Sequence, residues 1–144
     1  MVVRIGRVSS GGSSGRHSHL QPGSPVGTPA RIAFDPTNSA TLYATFASQG
    51  FYISRDAGLT WKEANAGAPP AARAAGDIVV DPARPAHIFR SAVGAGVFES
   101  QDYGASWQDI SGNISDKHVT RLLLINHKLY AVTWGPGLNV TTVN

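Results

Sequence analysis

The chain has 144 residues, 42% of them hydrophobic and 15% charged, and it contains no cysteine. That length admits one modest core, and the missing thiols exclude disulfides and thiolate metal sites. The formal charge of +3 is set at the amino terminus: Arg4, Arg7, Arg16 and Arg31 precede the first acidic residue, Asp35, so the remainder is close to neutral and offers no basic face for nucleic acid.

Residues 1–29 read as a flexible tail, because 9–29 are dominated by Ser, Gly, Pro, Arg and His and cannot bury enough apolar surface to offset their ordering entropy. Within it, 2–8 has the composition of a strand, and His17 and His19 offer only adventitious metal contacts. The tail carries no apolar core of a secretory signal, and no stretch of the chain is long and apolar enough to span a membrane. Its acid-free, Arg- and Ser-rich start superficially resembles a transit peptide, but a linker or a truncated reading frame is the preferred reading.

From residue 30 the chain turns to short segments rich in Val, Ile, Phe, Tyr and Thr, separated by Pro, Gly, Asn and Asp, which is the pattern of strands and turns. Strands are expected at 30–34, 41–47, 50–54 and 61–64, then at 77–80, 87–92, 96–100 and 107–110. A third set starts with 122–125 and 129–131. The Asp-Pro after each first strand, Asp35-Pro36 and Asp81-Pro82, stops it because proline has no N–H to donate. Helical periodicity is absent.

These segments repeat. Ser54, Asp56, Gly58 and Trp61 recur 46 positions later as Ser100, Asp102, Gly104 and Trp107, so both copies read S-x-D-x-G-x-x-W. At the same offset Ile32 matches Ile78, Phe34 matches Val80, and Gly50 matches Gly96. Leu129-Tyr130-Ala131 repeats Leu42-Tyr43-Ala44. Four strands in such a period is the size of one propeller blade, dividing the chain into repeats at 30–75 and 76–118 with a partial third at 119–144. The expected fold is all-β: four-stranded antiparallel propeller blades in an incomplete ring. An uncovered blade face of about 400 Å² leaves roughly 10 kcal/mol of burial unrealised. Hence the chain is either a segment of a longer propeller, the preferred reading, or one of several chains that close a ring together.

In the repeated motif the aspartate is suited to accept backbone N–H bonds as in an Asx-turn, the glycine to take a positive φ, the serine to pin the preceding backbone, and the tryptophan to pack over the turn or between blades. The motif resembles the Asp-box, or BNR, repeats of bacterial sialidases, xyloglucanase-type glycoside hydrolases, sortilin-like receptors and photosystem assembly factors. Phe34 to Ala44 is especially similar to the repeats of large secreted bacterial propellers. The resemblance implies a propeller with its boxes on the rim, remote from any active centre, and favours a secreted or envelope location. It leaves function open.

Residues testing the enzyme readings argue against a complete site. Only two glutamates, Glu63 and Glu99, occur in the repeats, and both flank the boxes. The loops at 47–49 and 93–95 lack the carboxylate that a xyloglucanase-like pattern implies there. Asp77 and Asp116 precede first strands and could approach a central channel, but turn and capping roles are preferred. His87, His118 and His127 read as isolated surface residues, with no ligand set for a metal and no cofactor motif. The favoured function is a non-catalytic binding or scaffolding propeller segment taking a carbohydrate or protein ligand. Its candidate contacts are Gln49, Asp77 and Trp134, the last because it breaks the small-residue pattern of its counterparts in the 47–49 and 93–95 loops and an exposed indole can stack on a sugar ring, although packing against a next blade is the preferred reading of that residue. The alternatives are a segment of a propeller glycoside hydrolase whose carboxylates lie outside the chain, and an oligomeric propeller lectin.

Overall fold

A computed structural model describes residues 24–112, 114, 116–135 and 138–143; the strand expected at 2–8, His17, His19 and the end of the 134–136 loop fall outside them. The first sheet comprises β1 (Pro29–Asp35), β2 (Asn38–Phe46), β3 (Gly50–Ser54) and β4 (Lys62–Glu63), ordered as in the sequence. The second repeats the plan with β5 (Ile78–Val80), β6 (Ile88–Ala92), β7 (Gly96–Ser100) and β8 (Gln108–Asp109). The third holds β9 (Val119–Ile125), β10 (Lys128–Thr133) and β11 (Leu138–Thr142). All neighbouring strands pair antiparallel. Among the described residues the one helical element is a 3₁₀ turn, Pro70–Arg73. The fold is therefore a run of propeller-type blades that does not close into a ring.

The second strand of each full sheet is buried on both faces, and its sequence shows why. In β2, Leu42, Ala44 and Phe46 point one way, packing with Tyr52 and Trp61, while Tyr43 points the other. Between the first two sheets Tyr43, Phe51 and Ile53 meet Ile78, Ile88, Ala92, Phe98 and Trp107. The next interface repeats this pairing, with Phe89 and Val97 against Val119, Leu122, Leu129 and Ala131. The fourth strands are shorter than expected: Lys62-Glu63 and Gln108-Asp109 are exposed and make only two register pairs each. Short, charged outer strands are a usual way of blunting a sheet edge.

Both S-x-D-x-G-x-x-W hairpins take the same bonds. The Ser54 hydroxyl donates to Asp56 Oδ1 at 2.8 Å and accepts the Gly58 N–H at 2.8 Å, while Asp56 Oδ1 accepts the Thr60 N–H at 2.8 Å. Ser100, Asp102, Gly104 and Ser106 reproduce this geometry. The glycines have φ of 92° and 84°, as the sequence leads one to expect, but Ala57 and Tyr103 before them also sit in the left-handed region, at 59° and 58°. The serine thus pins the backbone that follows it, through the glycine N–H four residues on, and not the preceding backbone as expected. The aspartates at the ends of first strands form a related turn: Asp35 accepts the Thr37 N–H at 2.8 Å, and Asp81 the Ala83 N–H at 3.0 Å.

The expectation for His87 also needs correction. His87 is not a surface residue; it is 3% exposed, lies on the Phe89 ring at 4.4 Å and pairs through Nε2 with Glu99 Oε1. A buried imidazole needs such a partner, and the two residues meet because Glu99 pairs with Phe89, which lies two residues after His87.

Candidate functional site

Antiparallel meanders sort the loops by end. The β2–β3, β6–β7 and β10–β11 turns share one end of the sheets with the starts of β1, β5 and β9. The two S-x-D-x-G-x-x-W hairpins lie at the opposite end. Gln49, Asp77 and Trp134 therefore fall together on the hairpin-free end, and that end holds the candidate site.

Its most exposed member is Trp134, 73% accessible just beyond β10. One indole face stacks on the His118 imidazole, 5.1 Å between centroids and 8° between planes. Asp116 fixes that pair: Oδ1 accepts the His118 N–H at 3.0 Å and lies 2.8 Å from His118 Nδ1, while Oδ2 accepts the Gly135 N–H at 2.9 Å. The N–H groups of His118 and Gly135 hold the Asp116 carboxyl below the usual carboxylate range. The capping role expected of Asp116 is what it has, and its effect is to hold a flat aromatic platform whose outer face meets solvent. The sequence showed Trp134 but not its support, because His118 read there as an isolated surface residue and Asp116 as a turn or capping residue with no stated partner.

Asp77 joins all three sheets. Its Oδ1 accepts the Ile78 N–H at 3.0 Å and its Oδ2 the Leu122 N–H at 2.9 Å. Its own N–H donates to the Ser91 hydroxyl at 2.9 Å. Arg31 Nε lies 3.8 Å from Oδ1 and Arg121 Nε 3.7 Å from Oδ2, with both arginines more than half exposed. The register explains the trio: Ile32, Ile78 and Leu122 pair with Ala44, Arg90 and Ala131 at matching rungs, so Arg31, Asp77 and Arg121, each one residue earlier, occupy the same position in three successive repeats. Both Asp77 oxygens are taken by backbone donors, so it positions rather than presents.

Gln49 is also engaged by its own chain. Its amide donates to the Val26 carbonyl at 2.8 Å and accepts the Val26 N–H at 2.9 Å. Beside it Glu63 accepts from Asn65 at 3.0 Å and pairs with Arg73, which together hold the Glu63 carboxyl below its usual range. Arg73 in turn donates to the Gln49 carbonyl at 3.1 Å. Of the three contacts expected from sequence, Trp134 is the exposed one among the described residues. Among the described residues no group of three or more His, Asp or Glu side chains is placed to hold a metal ion.

No family model matches the chain, and no curated protein matches it. Solved structures do. The chain is similar to a GH74 xyloglucanase from Xanthomonas campestris, with a TM-score of 0.64 and 20% identity over 78% of this chain and 20% of that one. It is similar to an ancestral GH74 enzyme, with a TM-score of 0.62 and 20% identity over 77% and 17%. A GH74 enzyme of Niastella koreensis gives a TM-score of 0.58 and 28% identity over 74% and 18%. The chain thus spans about a fifth of the length of these β-propeller enzymes and shares their fold over that part.

Proposed function

We propose that the chain is a non-catalytic, carbohydrate-binding segment of an Asp-box propeller protein. The observation that carries this reading is Trp134, an exposed indole held flat on a carboxylate-anchored imidazole at the end of the sheets away from the repeated hairpins. A rigid aromatic face takes the C–H side of a pyranose with little loss of conformational freedom. Two guanidinium groups, Arg31 and Arg121, stand on the same end and supply donors for hydroxyl oxygens. Acid–base cleavage of a glycosidic bond needs two carboxyls flanking it. On this end Asp77 and Asp116 both have their oxygens occupied by backbone N–H groups, which supports binding over hydrolysis.

The test is titration of the chain with a panel of neutral oligosaccharides, xyloglucan fragments included, followed by calorimetry. Saturable binding that falls about tenfold or more in Trp134→Ala, a loss of about 1.4 kcal/mol, supports the reading. Binding that is absent, or indifferent to Trp134, defeats it.

A second reading follows from the similar structures, each of them a GH74 enzyme of which this chain spans about a fifth. The chain would then be part of a propeller glycoside hydrolase whose catalytic carboxylates lie in other blades. Release of reducing ends from the same panel separates the two.

A further inference from the structure

A cavity of about 250 Å³ opens between the second and third sheets. On the second-sheet side it is walled by Val97, Ile110, Gly112 and Ile114. Forty-six positions earlier stand Phe51, Ala64, Ala66 and Ala68, and that equivalent place is filled by Trp107. Its ring meets Phe51 edge-on at 4.7 Å, its indole Nε1 donates to the Ala64 carbonyl at 2.8 Å, and its backbone N–H donates to the Ala66 carbonyl at 2.9 Å.

The two places are built alike. Asn65 accepts the Phe51 N–H at 2.9 Å, and the Ser111 hydroxyl accepts the Val97 N–H at 3.0 Å. Ala64 and Ile110 each donate back to the third strand, to Phe51 and Val97, at 2.9 Å. The Ile110 carbonyl therefore stands where the Ala64 carbonyl receives an indole N–H. On the far wall Ala131 pairs with Asn139 as Arg90 pairs with Phe98. Arg90 holds its guanidinium 4.9 Å over the Trp107 ring; Ala131 leaves that volume open.

We propose that this cavity is a socket for an indole, the side chain of a tryptophan borne on a β-hairpin of the S-x-D-x-G-x-x-W kind in a docking partner. An apolar cavity of about 150 Å³ accepts a benzene ring, so this one has room for the larger bicycle. Continuity with the neighbouring interface names the occupant: the same walls, one repeat earlier, already hold a tryptophan from such a hairpin. The carbonyl at the indole N–H position selects indole over phenyl. The inference shares only the propeller-segment reading with the proposed function, and its test involves no sugar.

The full chain would be titrated with a peptide spanning residues 96–110 and with the same peptide carrying Trp107→Ala, followed by amide chemical shifts. Saturable binding that shifts Val97, Ile110 and Ala131, and that weakens about tenfold with the alanine peptide, is expected. Ala131→Leu, which fills the socket, should weaken it by a similar factor, as should Thr141→Lys at the exposed rim, where Thr141 pairs with Leu129 and lines the cavity; this second variant guards against a packing defect in the first. No saturable binding, equal affinity for the two peptides, or binding that survives both chain variants would overturn the socket.

Discussion

Single residues in this chain are best judged by what their neighbours leave unsatisfied. Trp107 is held by an edge-on ring, a carbonyl acceptor and a cation over its face. Trp107→Ala should destabilise by about 3–5 kcal/mol, whereas Trp107→Phe keeps most of the packing and strands the Ala64 carbonyl, for about 1–2 kcal/mol. Urea unfolding of the two variants checks the order; equal losses would mean the hydrogen bond is immaterial. Tyr43 is the opposite case. Burial, with Asp35 adding to it, pushes its phenol up to about 12, and its hydroxyl has no hydrogen-bond partner among the described residues. Because the folded value lies above the unfolded value of about 10, the stability tied to this group is whole below pH 10 and is lost as pH rises toward 12. Burial, with Glu63 adding to it, raises the Tyr52 phenol as well, so phenolate absorbance should show late ionisation from both Tyr43 and Tyr52. Tyr43→Phe should remove its own part of that late titration and hold stability level or raise it by up to about 1 kcal/mol. A loss beyond that would show that the hydroxyl has a partner.

Among the elements, the repeated hairpin carries the most local design. The Thr60 hydroxyl and N–H hold the Asp56 carboxyl below its usual range. A depressed folded value means the stabilisation is present at neutral pH and is lost as pH falls below about 4, toward the folded value. Asp56→Asn should therefore flatten the acid limb of the stability curve, and Asp56→Ala should destabilise by about 1 kcal/mol at neutral pH. An acid limb unchanged by Asp56→Asn would contradict that. Much of this was legible beforehand, because S-x-D-x-G-x-x-W states its own hydrogen bonds and its copies fix the strand order around it. The left-handed Ala57 and Tyr103 were not legible, since nothing in an alanine or a tyrosine asks for positive φ. Nor was Arg90, which lies fully buried over the rings of Phe51, Phe98 and Trp107 with its guanidinium bonded to the Ala72 carbonyl. Arginine reads as surface until long-range packing is known. The candidate site divides the same way: Trp134 was visible as a departure from the repeat, while the Asp116–His118 support depends on a loop brought back by β10.

Across the whole molecule the three sheets are not equally closed. Tyr43 and Phe89, which point from their second strands toward the following sheet, are fully buried. Tyr130 is their counterpart in β10, and it is flanked across the ladder by Leu123 and Val140, with Leu138 beside Val132 and Ile125 beside Lys128. Those four flanking side chains are 48–59% exposed. Water meets here the surface that the first two sheets bury against a neighbour, a contiguous apolar face of the sort that marks association. The burial term it withholds is entropic and non-directional, so any apolar sheet suffices to satisfy it. The chain should accordingly self-associate with rising concentration in light scattering, and the double variant Leu123→Lys, Leu138→Lys should suppress this. Because both positions are already in solvent, the substitutions should change unfolding stability by no more than about 0.5 kcal/mol each. Association that persists in the double variant would place the contact elsewhere, whereas a stability loss much above that figure would mean the face is covered in solution.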